Sequence, residues 1–286
     1  MDIQRVGVVG CGLMGSGIAE AAARAGLDVR VVDLDQASLE RGRERIRSSI
    51  ARAQKAGKLS EPDAGAALAR IGYSADIGSL SDRQLVIEAV VELEAEKVSV
   101  FETLDKVVAA PDAVLASNTS SIPIMKLAMA TGRPSQVIGI HFFNPVPVLP
   151  LVELVTSLLT SDDTVQTAQR FATEQLGKQV IRSQDRAGFI VNALLVPYML
   201  SAIRMLESGF ATAEDIDTGM VEGCAHPMGP LALTDLVGLD TTLFIAHSLY
   251  DEFKEPLYAP PPLLSRMVEA GLLGRKSGRG FYTYDG

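Results

Sequence analysis

Three glycines near the start of the chain have the spacing of a phosphate-binding turn. The run Gly10-Cys11-Gly12-Leu13-Met14-Gly15 follows the apolar stretch Val6–Val9 and opens a helical stretch that Gly26 ends. The first glycine permits a tight turn, the second lets the backbone approach a pyrophosphate, and the third packs the helix against the strand. The pattern predicts a dinucleotide site formed by Gly10, Gly12, Leu13, Met14 and Gly15.

Asp33 indicates which dinucleotide this turn binds. It ends the next predicted strand, where an acidic side chain accepts a hydrogen bond from the adenosine ribose 2′-hydroxyl. The carboxylate would repel a 2′-phosphate, and no arginine follows it directly. We therefore expect NAD and not NADP. The alternatives are a flavin dinucleotide, which no second feature supports, and a glycine turn that only packs a helix on a strand.

The histidines are candidate general bases for an alcohol oxidation, in which a base takes the hydroxyl proton as hydride leaves for a nicotinamide. His141 ends the predicted strand Val137–His141, and ligands bind outside the carboxyl ends of such strands. His226 precedes Pro227 in a loop, and His247 lies in a helical pattern. Position alone favours His141.

Two further polar features belong to predicted strands. Glu153 lies in an apolar run, where a carboxylate is costly unless it is paired or protonated. It would either form an ion pair with a buried arginine or hold the imidazole of His141 by its second nitrogen, and the residues alone leave both interpretations open. The run Ser117-Asn118-Thr119-Ser120-Ser121 follows another strand and would be either a helix cap or a polar ligand contact.

Alternating elements would position these residues. Strands are predicted at Val6–Val9, Val29–Val32, Leu85–Val90, Val114–Ala116, Val137–His141 and Leu151–Val155. Helical stretches lie at about 13–25, 36–56, 61–70, 94–109 and 163–176. Nearly continuous apolar strands separated by helices predict an α/β fold with a Rossmann-type, doubly wound parallel sheet.

The character of the chain changes after Gln184. Helical patterns then dominate at 189–208, from Ala213 after a capping Thr212, at 231–253 and at 262–270. We predict an NAD-binding domain of residues 1–184 that carries the catalytic pair. A smaller all-α domain of residues 185–286 would serve substrate binding and dimerisation.

Composition excludes several classes of protein. The net charge is −9, whereas phosphate neutralisation in nucleic-acid binding needs clustered Lys and Arg. No uninterrupted apolar stretch reaches the roughly 18 residues of a membrane span. The two cysteines and three histidines form no metal-ligand pattern, and so few cysteines suit a reducing compartment. Since Met1–Arg5 runs straight into a strand, we expect a cytoplasmic protein.

Seven motifs resemble, in order, those of the L-3-hydroxyacyl-CoA dehydrogenases, particularly the short bacterial 3-hydroxybutyryl-CoA dehydrogenases. Besides the glycine turn and Ser117–Ser121 they are His141-Phe142-Phe143-Asn144-Pro145, Leu151-Val152-Glu153, Gly188-Phe189-Ile190-Val191-Asn192, His226-Pro227-Met228-Gly229-Pro230 and Gly278-Arg279-Gly280-Phe281-Tyr282. The resemblance spans essentially the whole chain. It implies reversible oxidation of an L-3-hydroxyacyl-CoA, in particular 3-hydroxybutyryl-CoA, to the 3-ketoacyl-CoA with NAD.

The resemblance also implies roles for individual residues. His141 would be the general base and Glu153 its partner, while Ser120 and Asn192 would contact the substrate oxygen atoms. The implied cofactor contacts are Asp33, Glu92, Lys97, Asn118, Asn144 and Lys276. More loosely, it implies CoA contacts at Ser49 and Lys55, and it implies a homodimer. Without the resemblance, Glu92 and Lys97 would be interpreted as a solvated pair at a helix start.

Four positions depart from the family pattern. Cys11 and Leu13 stand where Ala and Gln are usual, and we expect both side chains to point away from the phosphates. Pro150 and Ala193 replace a usual Lys and Arg, which would change acyl-chain or carrier preference but not hydride chemistry. An alternative function is therefore oxidation of a carrier-protein-bound or hydroxymalonyl-type thioester. A catalytically silent NAD-binding protein is disfavoured, because all four catalytic residues are present.

Overall fold

The chain forms two compact units in a computed structural model that describes residues 2–284. Met1, Asp285 and Gly286, which the predicted domains include, lie outside the described residues. The units are Met1–Arg186 and Ala187–Gly286, so the division falls two residues after the predicted boundary at 184/185.

The first unit alternates strands and helices. Its strands are β1 (Arg5–Val9), β2 (Asp28–Val32), β3 (Ile71–Ser74), β4 (Leu85–Glu88), β5 (Val114–Ser117), β6 (Val137–Phe142), β7 (Leu151–Thr156) and β8 (Gln179–Gln184). Its helices are α1 (Leu13–Arg24), α2 (Gln36–Lys55), α3 (Glu61–Ala69), α4 (Glu94–Val107), α5 (Ile124–Met129) and α6 (Asp162–Arg170), the last continued by a π-helical turn, Phe171–Gln175.

These strands form one sheet in the order β3-β2-β1-β4-β5-β6-β7-β8. The strands from β3 to β6 in that order run parallel, β7 is antiparallel to β6, and β8 is parallel to β7. Every residue of β4, β5 and β6 is buried, as expected for strands covered on both faces. The predicted Rossmann-type fold is confirmed. Its strand order reverses between β1 and β4, which is where ligands bind in such sheets.

Two strands and one helix were missing from the sequence prediction. The edge strand β3 buries only Ile71, and the other edge strand, β8, contains only exposed and half-buried residues. Neither therefore shows the apolar run by which the central strands were found. The helix α5 has only six residues, too few to establish a helical period. The predicted strand Leu85–Val90 ends two residues early, at Glu88.

The second unit is built from helices around its own core. They are α7 (Val191–Glu207), α8 (Ala213–Cys224), α9 (Pro230–Val237), α10 (Leu239–Phe253) and α11 (Pro262–Glu269). Thr212 caps α8 by accepting a hydrogen bond from Asp215 N, as predicted. The single helix predicted at 231–253 is wrong, because Gly238 adopts φ +103° and separates α9 from α10.

Within the described residues, no helix is long and apolar enough to cross a membrane. The same residues contain no group of three or more His, Cys, Asp or Glu side chains that could hold a metal ion.

Candidate active site

The glycine turn between β1 and α1 is shaped by close backbone contacts. Gly10 adopts φ +96°, and a Cβ added there would lie 2.6 Å from Ala89 O. A Cβ on Gly15 would lie 1.9 Å from Gly10 O, whereas one on Gly12 would meet no atom within 4 Å. Gly10 and Gly15 therefore close the turn, and Gly12 leaves open space above it. A phosphate-binding turn needs both features, close backbone packing at two glycines and open space for the ligand at the third.

The start of α1 and the end of β2 complete the features expected for a dinucleotide. Gly12 caps α1 without a side-chain hydrogen bond, and the first turn holds no acidic residue, so its N–H groups suit an anion. Asp33 accepts hydrogen bonds from Cys11 N at 2.5 Å and Leu34 N at 2.7 Å. These bonds hold its carboxylate beside the turn, where a ribose hydroxyl would be bound.

The unusual residues of the turn differ in exposure. Cys11 is 1% exposed and packs against Gly42 of α2, while Met14 packs on the core beneath the turn. Leu13 is instead 61% exposed. Burial, and then the nearby Asp33 carboxylate, raise the pKa of the Cys11 thiol to about 11.

His141 and Glu153 face each other across the antiparallel strands β6 and β7. They are directly paired in register, with Nδ1 and Oε2 2.7 Å apart. The exposed fractions are 4% for His141 and 0% for Glu153. Because a glutamate carboxylate only accepts hydrogen bonds, Nδ1–H donates to it, and Nε2 then carries the imidazole lone pair. Of the two interpretations left open for Glu153, pairing with the imidazole matches this geometry.

The polar loop after β5 brings Ser120 to the other side of the same imidazole. Ser120 Oγ lies 3.1 Å from His141 Nε2. Asn118 Oδ1 accepts from Phe142 N at 2.9 Å, so the loop is tied to the end of β6. The helix-cap interpretation of this run is wrong, because α5 begins after Pro123 and its first N–H groups donate to Asp185 instead.

Lys97 is buried and Glu92 is half-buried, and the two belong to one hydrogen-bonded network and are not a solvated pair. Lys97, 1% exposed, donates to Glu88 at 2.6 Å and approaches Glu92 Oε2 at 3.1 Å. Glu92 in turn accepts from Thr119 Oγ1 and from Ser120 N, the latter at 2.9 Å. Burial raises the pKa of Glu92, but the Lys97 ammonium and the hydrogen bonds from Thr119, Lys97 and Ser120 together hold it below its usual range.

Sequence reasoning missed Glu88, the last residue of β4. It ends an apolar run in the same way that Glu153 interrupts one, and the cost of a carboxylate there was the signal that could have found it.

Asn144 and Ser49 line one cavity of about 600 Å³ beside the glycine turn. Its walls come from α1, α2 and residues 144–147. Its charged lining residues are Arg41, Arg45, Arg52 and Glu44 of α2 and Glu20 of α1. Arg45 also donates to Cys11 O at 3.3 Å, which links this basic surface to the turn. Lys55, at the end of α2, is outside the lining.

The remaining predicted residues lie in the second unit. Asn192 lies in the first turn of α7, and the ammonium of Lys276 contacts both carboxylate oxygens of Asp240 at 2.5 and 2.6 Å. The other histidines are also there: His226 contacts Tyr198 Oη at 3.1 Å, and His247 is exposed on α10. The first unit therefore assembles His141, Glu153, Ser120, Asp33 and the glycine turn by itself.

Comparison with known proteins covers the whole chain. Residues 5–186 match the 3-hydroxyacyl-CoA dehydrogenase NAD binding domain, and residues 188–284 match the C-terminal domain of the same enzymes. A 3-hydroxybutyryl-CoA dehydrogenase of Mycobacterium tuberculosis is 63% identical over 282 residues, 99% of each chain.

Two solved structures superpose over the full length of both chains. The crystal structure of M. tuberculosis FadB2 has a TM-score of 0.99 at 62% identity and covers 100% of each chain. The (S)-3-hydroxybutyryl-CoA dehydrogenase PaaH1 from Ralstonia eutropha has a TM-score of 0.94 at 46% identity, again over 100% of each chain.

Proposed function

Because the chain belongs to the 3-hydroxyacyl-CoA dehydrogenase family, we propose that it interconverts L-3-hydroxybutyryl-CoA and acetoacetyl-CoA with NAD as its cofactor. The substrate rests on relatives that are named for 3-hydroxybutyryl-CoA and match over 99% or more of both chains. The single structural observation that carries the chemistry is the hydrogen-bonded series Glu153–His141–Ser120 in the unit that holds the dinucleotide turn.

His141 acts as the general base in this proposal. Bound NAD supplies the hydride acceptor. Nε2 of His141 takes the hydroxyl proton, and Glu153 stabilises the imidazolium through Nδ1. Ser120, 3.1 Å from Nε2, donates to the substrate oxygen and so polarises the carbonyl that forms. The family resemblance alone implies that Asn192 is a second contact to that oxygen. In the reverse direction the imidazolium returns the proton.

The other ligand contacts are proposed on different grounds. For NAD we propose the glycine turn, Asp33, Glu92, Lys97, Asn118, Asn144 and Lys276. For the CoA phosphates we propose the cavity lined by Ser49, because its three arginines from α2 outnumber its two glutamates, Glu20 and Glu44, and leave the lining positively charged. The exposed Lys55 has no comparable support.

Assembly and location are also proposals. Leu194 and Met205 of α7 and Phe244 of α10 are 73%, 41% and 41% exposed, which supports a homodimer built on these helices. Sedimentation at micromolar concentration would contradict the dimer if it showed only a 30.4 kDa species. A cytoplasmic location is supported by two cysteines that are both free thiols.

The variant His141→Ala tests the reaction. We expect turnover of acetoacetyl-CoA with NADH to fall by about 10²–10⁴, the usual contribution of one proton-transfer group. The dissociation constant for NADH should change little, because the glycine turn is untouched. His247→Ala, at an exposed position on α10, is the matched control and should keep wild-type turnover. Wild-type turnover in His141→Ala would refute the assignment.

A further inference from the structure

Glu88 is a fully buried carboxylate that no part of the reaction above uses. It is 0% exposed and ends β4. Its Oε1 accepts from Val90 N at 2.7 Å and from Lys97 Nζ at 2.6 Å, and its Oε2 accepts from Ser117 Oγ at 2.6 Å. Both oxygens are therefore committed to groups on three different segments.

One of these segments lies directly against the glycine turn. A Cβ on Gly10 would lie 2.6 Å from Ala89 O and 2.9 Å from Val90 N, so residues 89–90 contact the turn itself. The N–H of Val90 is the group that donates to Glu88. A displacement of the Glu88 carboxylate would therefore move a segment that packs on the glycine turn.

The other two segments lead to Ser120. Ser117 Oγ, which donates to Glu88, also accepts from Thr119 N at 3.1 Å. Lys97 connects Glu88 to Glu92, which accepts from Ser120 N at 2.9 Å. Two hydrogen-bonded routes thus join Glu88 to residues 118–121, which we call the Ser120 loop.

We propose that Glu88 is a positioning residue that fixes the position of the Ser120 loop relative to the glycine turn. Its charge matters as well as its shape, because it balances the ammonium of Lys97 in a site that water does not reach. Without that charge, Glu92 is the only one of the two carboxylates left to balance Lys97. Lys97 then moves toward Glu92, and Glu92 loses its present alignment with Ser120 N. The role of Ser120 in this inference rests on the proposed function.

The variant Glu88→Gln tests the inference, since it keeps the shape and one acceptor oxygen but removes the charge. We expect kcat with acetoacetyl-CoA to fall about 10- to 100-fold, the cost of misplacing a reacting group by up to roughly 1 Å. The NADH dissociation constant, measured by fluorescence titration without substrate, should rise about 3- to 10-fold. Hydrogen exchange should become faster in residues 117–121, a change that a general loss of stability would not confine to this loop.

Asp105→Asn is the matched control. Asp105 pairs with Arg133 at 2.8 Å and lies near the opposite end of the helix that carries Lys97. This variant removes a paired carboxylate about 12 Å along the helix from Lys97, so its kcat and NADH affinity should stay within about twofold of the wild type.

A folded Glu88→Gln variant with wild-type kcat and NADH affinity would overturn the inference. If that variant does not fold, Ser117→Ala decides, because it removes one route and leaves the Glu88–Lys97 pair intact. Its kcat should fall about 3- to 10-fold, the loss of one hydrogen bond, and an unchanged kcat would overturn the inference. A wild-type protein that binds NADH but does not reduce acetoacetyl-CoA would refute the proposed function, while the NADH titration would still test Glu88.

Discussion

Replacing Glu153 by glutamine changes the state of His141 with little change in shape. The wild-type carboxylate only accepts, so it keeps the proton on Nδ1, 2.7 Å away. A glutamine can instead donate its amide N–H to Nδ1, which leaves the proton on Nε2, where it blocks proton abstraction. It also removes the negative charge that stabilises the imidazolium.

The loss in turnover follows from these two effects. One hydrogen bond to a charged group contributes about 1.5–3 kcal/mol, which corresponds to about 10- to 160-fold in rate. Reversal of the tautomer extends the loss toward about 10⁴, the effect of the corresponding change in serine proteases. We therefore expect kcat of Glu153→Gln to fall between about 10-fold and 10⁴-fold.

The assay follows NADH absorbance at saturating acetoacetyl-CoA, together with a fluorescence titration of NADH binding. The NADH dissociation constant should stay within about twofold, since Glu153 lies on β7 and the glycine turn follows β1. Asp105→Asn again serves as a control with intact kcat. If Glu153→Gln is folded, binds NADH and retains kcat within about threefold, then Glu153 does not govern the imidazole and the reasoning is refuted.

Four further predictions concern the glycine turn, the two cysteines and the second unit. Asp33→Ala removes the carboxylate that would repel a 2′-phosphate, so the preference for NADH over NADPH in kcat/KM should fall at least about tenfold, and an unchanged ratio would contradict the role of Asp33. The raised pKa of Cys11, about 11, keeps its thiol neutral at pH 8, so iodoacetamide should label the exposed Cys224 first, as read by mass spectrometry. Because that pKa lies above the ordinary 9.0, the thiol's contribution to stability is complete below pH 9 and is lost as the pH rises toward 11; urea unfolding of Cys11→Ala should therefore show a smaller alkaline loss than the wild type. Asp217 accepts from Leu231 N and Ala232 N at 2.8 and 2.9 Å, so Asp217→Asn should lower the free energy of unfolding by about 1.5–3 kcal/mol, and a Tm within 1 °C of the wild type, on the order of experimental error, would contradict this.

The sequence predicted strands and site residues correctly where burial and position along the chain both constrained them. Val6–Val9 and Val137–His141 are apolar because both faces of the central sheet are covered, and they were recognised for that reason. Asp33 was recognised because its distance from the turn is set by one helix and one strand. His141 was preferred because strand ends in a parallel sheet collect at one edge.

The buried Glu88–Lys97 pair could not be found in the same way. Lys97 is the fourth residue of α4 and follows Glu94 and Glu96, which is the sequence pattern of a solvated charge cluster. Only tertiary packing shows that its side chain is buried. The position of Lys97, 1% exposed, depends on α4 lying on the sheet with this side chain directed at the end of β4. That is a tertiary constraint, and no local period in the sequence records it.

The pairing of His141 with Glu153 depends on the change of strand direction between β6 and β7. His141 is the fifth residue of β6, and Glu153 is only the third residue of β7. If β7 ran parallel to β6 and began level with it, Glu153 would lie about two residues, or roughly 6–7 Å, below the level of His141. The antiparallel register instead sets the two residues directly opposite each other. The parallel strands thus build a nucleotide-binding edge, and the reversal at β7 places His141, the proposed general base, opposite Glu153 at that edge.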